Sequence, residues 1–132
     1  MESFAFALCT LLAPNIPGLT FGPGDSNVKV GELVRGIDGV FVVEGASPEP
    51  DRYTAVEYHT LDFWAVFKNA KVASDYLRAI YDYLHQKHHY NTDSYTVHFS
   101  YCAGQILDLD RDGEGRKMLK LSVVFIITGL IS

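Results

Sequence analysis

Basic clusters are missing from this sequence. Lys and Arg number 11 against 16 Asp and Glu, the formal net charge is -5, and the basic residues are scattered. A nucleic-acid-binding surface normally announces itself as a basic patch or stripe, so that class is disfavoured. Cysteine is scarce: Cys9 and Cys102 are the two in the chain. Neither has CxxC or zinc-ligand spacing around it, and both read as buried thiols in a reducing compartment. No apolar run approaches the ~20 residues that span a bilayer; Val123 to Ile131 is about half that length. The apolar stretch Phe4 to Leu12 lacks a basic n-region, carries Glu2 before it, and meets Pro14-Asn15-Ile16-Pro17 without a small-residue cleavage site. Neither a membrane segment nor a signal peptide is expected.

Catalytic signatures are equally thin. There is no Gly-x-Ser-x-Gly elbow, and the glycine-rich stretch Gly18 to Gly24 lacks the Gly-Lys-Ser/Thr of a phosphate loop. None of the acidic residues is paired by spacing within an evident cleft. The expectation is a non-enzymatic protein with no cofactor and no metal.

What is present is a foldable composition: 48% apolar and 20% charged residues over 132 positions, enough for one domain spanning 1–132 with its own core. Met1 to Leu12 reads as a short helix stopped by Pro14. All five prolines and seven of the eleven glycines then fall between Ala13 and Asp51, the composition of a long irregular excursion. Within it, Gly39 to Glu44 is a β-rich run. Tyr53 to Phe67 predicts a long strand, either bulged near Thr60 or buried on both faces at its end. Val72, Ala73, Tyr76, Leu77, Ile80, Tyr81 and Leu84 mark one face of an amphipathic helix. Asn69 is its expected N-cap and Asn91 its stop, with Arg78 placed to pair with Asp75 and Asp82. Tyr95 to Tyr101 and Leu119 to Ile127 alternate as strands, separated by a polar turn whose Asp112-Gly113 is a hairpin signal. The expected fold is α+β: a mainly antiparallel sheet of about four strands packed against the mid-chain helix, plus the short N-terminal helix.

Two clusters invite metal chemistry. Asp108, Asp110, Asp112 and Gly113 match the first positions of a calcium loop, but position 12 is Leu119 and strands flank the segment, so a hairpin turn is the better reading. His85 and His89 share a face if the helix runs through them, with His88 beside them; no Glu completes an HExxH pattern, and a dipole role at the helix end suffices. His59 and His98 sit in strands as packed or polar-face residues. Tyr53, Tyr58, Tyr83 and Tyr90 are candidates for exposed aromatics, which favour protein interfaces.

The order of elements, with Lys71-Val72-Ala73-Ser74 opening the helix and Asp110-Arg111-Asp112-Gly113-Glu114-Gly115-Arg116 before Leu119-Lys120-Leu121-Ser122-Val123, resembles the tail terminator (tail completion, or minor capsid) proteins of long-tailed bacteriophages over nearly the whole chain. The resemblance implies a virion subunit, assembled in the host cytoplasm, that forms a ring, usually a hexamer. That ring caps the tail tube, ends its polymerisation and docks to the neck or connector protein. DNA passes through the lumen without specific binding. Other phage neck components and a small ligand- or metal-binding α+β domain are the rival readings, with a small enzyme of unrecognised site behind them. Ring closure needs two different patches on each subunit. The candidates are the loops Ala13 to Val30 and Gly45 to Arg52, and the charged tip Asp108 to Arg116. The residues singled out are Arg52, Asp108, Asp110, Arg111, Asp112, Glu114 and Arg116.

Overall fold

The computed structural model describes residues 4–21, 27–31, 37–44, 56–92, 95–111, 113 and 115–129. In chain order the elements are α1 (Phe4–Asn15), β1 (Val28–Val30), β2 (Gly39–Glu44), β3 (Glu57–Phe67), α2 (Ala70–Leu84), β4 (Lys87–Asn91), β5 (Tyr95–Cys102), β6 (Leu107–Arg111) and β7 (Lys117–Gly129). The strands form one seven-stranded sheet in the order β1-β2-β3-β7-β5-β4, with β6 also hydrogen-bonded to β7. β1 runs parallel to β2, and every other pairing is antiparallel.

The α+β class stands, but the expected mainly antiparallel sheet of about four strands does not: the sheet is mixed and has seven. The three additional strands are short: β1 alternates over too few residues to be read, β4 has no apolar alternation, and β6 alternates without burying either face. β1 is a three-residue Val-Lys-Val. β4 reads Lys-His-His-Tyr-Asn, and β6 reads Leu-Asp-Leu-Asp-Arg with all five residues exposed. Each is held by a stronger neighbour rather than by its own propensity.

The girder of the sheet is the β3–β7 pair, in register from Glu57–Ile127 to Phe67–Lys117 without interruption. Of the two readings of this strand, the bulge or bend near Thr60 is absent and burial on both faces at the end holds, with Ala65, Val66 and Phe67 all buried. Both helices cover the same face. Leu61, Phe63, Leu121, Val123, Phe125 and Ile127 meet Phe4, Leu8 and Leu12 of α1 and Leu77, Ile80 and Leu84 of α2 in one apolar cluster. At ~1.5–3 kcal/mol for each large apolar side chain buried, that cluster is the main source of stability.

Asn69 caps α2 as expected, its side chain accepting from the Lys71 backbone N–H at 3.0 Å. The stop comes at His85, which is extended, and not at Asn91. The chain then turns through Gln86 at φ 55° into β4, because a strand there can bond β5. α1 runs one residue past Pro14 to Asn15. A proline in the last turn forfeits one N–H but need not end the helix before it.

β5, β6 and β7 make one long interrupted hairpin. β5 pairs with the second half of β7, down to Cys102–Val123, and Ala103 continues the ladder with its N–H on the Ser122 carbonyl at 2.9 Å. β6 resumes it at Leu107–Lys120. Residues 104–106 thus face Leu121 alone, a bulge that breaks one long strand into two.

Candidate functional site

The hairpin tip is built by local side-chain bonds. Asp108 accepts from the Asp110 backbone N–H at 2.8 Å and pairs with the Lys117 ammonium. That hydrogen bond from Lys117, followed by the Asp110 N–H, holds the Asp108 carboxyl below its ordinary value. Asp110 takes φ 67°, a left-handed conformation that Asp tolerates better than most residues. Arg111 donates to the Gly115 carbonyl at 2.6 Å and reaches the Lys68 carbonyl at 3.4 Å, tying the tip to the β3–α2 connection. Gly115, at φ 82°, supplies the conformation that closes the turn.

Asp108, Asp110 and Arg111 are therefore brought together on the exposed edge of the sheet. Arg116 is not part of that surface. It is 8% exposed, and its Nε donates to Asp38 Oδ1 at 2.7 Å, locking the start of β7 to the start of β2. Arg52, Asp112 and Glu114 lie outside the described residues, as does the loop from Gly45 to Arg52.

Neither metal reading gains geometry. The Asp108 carboxylate is turned to a lysine and a backbone amide, and no three His, Cys, Asp or Glu side chains converge among the described residues. His85 accepts from the Cys102 N–H at 3.1 Å and stacks on Tyr81. His88 stacks on Phe99 at 4.5 Å. The strand at β4 disperses the three imidazoles that a continued helix would have aligned. His98 bonds Thr128 at 2.7 Å, and His59 sits between Glu44 and Glu57. Arg78 lies over the Tyr81 ring at 5.6 Å instead of pairing with Asp75 or Asp82 among the described contacts. Of the four tyrosines, Tyr58 is exposed, while Tyr83 and Tyr90 are half-buried, and Tyr53 is outside the described residues.

A cleft of about 370 Å³ opens where α2 passes the bulge, lined by Arg78, Tyr81, Gln105 and Ile106. That set holds no nucleophile with an adjacent base. Cys9 and Cys102 are buried, and burial pushes their thiols up to about 12 and about 11, away from the reactive thiolate.

Sequence reasoning missed the sheet's second face. No helix covers it among the described residues. At its centre Ser122 donates to Asp62 at 2.7 Å, Lys120 lies 3.7 Å from the same carboxylate, and the ammonium sits 5.3 Å over the Trp64 ring. Around them Val124, Ile126, Phe99 and Tyr101 are half-buried or exposed. The signal was available at positions 60, 62 and 64, where Thr, Asp and Trp alternate with the buried Leu61, Phe63 and Ala65.

No family model and no curated protein sequence matches this chain. A solved structure does. A chain in the virion of a native gene transfer agent particle is similar over 96% of this chain and 86% of its own length, with a TM-score of 0.51 at 11% identity. The fold is shared with a chain of that virion.

Proposed function

We propose that this chain is a structural, non-enzymatic virion subunit of the tail-terminator type. It closes into a ring, usually of six copies, on the end of the tail tube, stops tube polymerisation, and presents its other face to the neck or connector. What supports the reading is the near end-to-end correspondence of fold with a chain of a gene transfer agent virion. The resemblance of the helix opening and the acidic hairpin to tail terminators points the same way.

The physical properties accord with that role. An acidic chain, at -5, does not grip DNA, so a lumen built from it lets DNA slide. The charge-tipped hairpin and the two sheet edges offer different surfaces, which a closed ring requires.

The test is to measure mass in solution and image the protein by negative stain, alone and added to polymerising tail-tube protein. Rings, or density seated on tube ends together with shortened or arrested tubes, support the role. Unchanged tube growth with no end-bound density overturns it.

A further inference from the structure

Two clefts meet the bulge at residues 104–106, and Gln105 lines both. The smaller, about 200 Å³, has Lys120 and Ser122 in its wall, but Asp62 engages them both. The larger, about 370 Å³, falls within the ~300–1,000 Å³ usual for ligand pockets. Its polar side chains are not engaged in this way. Among the described residues the Arg78 guanidinium, the Tyr81 hydroxyl and the Gln105 amide make no hydrogen bond or ion pair, although Asp75 and Asp82 stand one turn from Arg78 on the same helix. The guanidinium is also braced. The Cys102 backbone N–H donates to His85 Nδ1 at 3.1 Å, His85 stacks on Tyr81 at 4.7 Å, and Arg78 lies over the Tyr81 ring at 5.6 Å. That run of contacts from β5 to Arg78 restricts in advance a long side chain that would otherwise lose its freedom on binding.

We infer that the larger cleft is a carboxylate-binding site, in which Arg78 holds the carboxylate and Gln105 and Tyr81 supply further donors. The lining set selects this chemistry. Arginine presents a planar fork of N–H groups that meets the two oxygens of a carboxylate, or two of a phosphate, at once. Asp75 and Asp82, beside Arg78 in a chain of net charge -5, oppose a phosphate dianion more strongly than a single carboxylate. Half-buried Ile106 gives the cleft an apolar wall, which suits a carboxylate carried on a short apolar stem. A small organic acid has such a group, and so does a glutamate side chain. The bulge serves the same end. It releases Gln105 from the ladder on β7 and sets it across the cleft from α2, as bulges beside binding sites re-aim a side chain.

The full chain is titrated by NMR with butyrate, with the capped tripeptide acetyl-Ala-Glu-Ala-amide, with its Gln counterpart, and with inorganic phosphate. A carboxylate of this size is expected to give saturable shifts at the Arg78 Nε–H and the Gln105 amide, with a Kd on the order of 1 mM. Arg78→Gln should weaken binding at least about tenfold, because a charge-assisted pair is lost. Arg78→Lys keeps the charge without the fork and should fall between the two. Arg78 and Gln105 are both exposed, so these substitutions spare the core, and circular dichroism checks each fold. Saturation by the Glu tripeptide as tightly as by butyrate places the carboxylate on a protein segment; saturation by butyrate alone places it on a small acid, and either supports the site. It is overturned by shifts that grow without saturating, by binding unchanged in Arg78→Gln, by equal binding of the Glu and Gln tripeptides, or by phosphate binding more tightly than butyrate. None of these readouts depends on assembly, so the site and the terminator role fail separately.

Discussion

Arg116 shows how one side chain can be misjudged from its neighbours in sequence. It closes an acidic, exposed turn, yet its guanidinium is buried on Asp38 across the sheet. Replacing it with alanine removes a charged hydrogen bond and the packing of its stem. Asp38 stays partly solvated, so the expected loss is moderate, about 1–3 kcal/mol in a denaturant titration. Asp108 has the opposite character, being fully exposed and held by Lys117. Its carboxyl titrates below the ordinary value, so the contribution of the pair is present above the unfolded carboxyl's range and lost as pH falls through the folded one. In an NMR titration Lys117→Met should move the Asp108 midpoint upward; an unmoved midpoint refutes the pairing. Ser100 is buried where β5 passes the end of α2, donating to the Leu84 carbonyl and accepting from the Tyr90 hydroxyl, both at 2.7 Å. Ser100→Ala leaves two buried partners unmet and should cost about 1–3 kcal/mol, read as a fall in the unfolding midpoint.

At the level of elements, the sequence was legible wherever apolar periodicity was strong. α2, β2, β3, β5 and β7 could all be recognised, and the Asn69 cap with them. β1, β4 and β6 could not, because their place comes from partners distant in sequence: β1 from β2, β4 from β5, β6 from β7. The histidines after α2 illustrate the consequence, since a polar Lys-His-His-Tyr-Asn segment extends a helix as plausibly as it forms an edge strand until β5 is in place. For the candidate surface, the acidic tip was readable from Asp-Gly chemistry, whereas the exposed apolar residues were not. Val30 and Leu107 look like core residues from their type alone, and only their place in the sheet leaves them exposed. The helix is held by both its cap and its buried stripe. Asn69→Ala should cost about 1 kcal/mol and Leu77→Ala about 2–5 kcal/mol, and an equal loss from the two would contradict the burial assigned to Leu77.

For the whole molecule, the two thiols give a direct reading of integrity. Cys9 belongs to α1 and Cys102 to β5, both inside the shared core. A thiol reagent should modify neither in native buffer and both at the rate of global unfolding, so fast labelling of either would show that its helix or strand opens alone. The uninterrupted β3–β7 ladder has a kinetic meaning as well. Its first strand is complete at Phe67 and its second begins only at Lys117, so the central pairing closes a long loop and raises the contact order of the fold. While the chain is being synthesised, α1, β2, β3 and α2 wait without the strand that joins them to β5 and β6. β6, held by β7, is therefore placed last. The charged tip, with Asp108 held by Lys117, takes its form only after every other element has been synthesised.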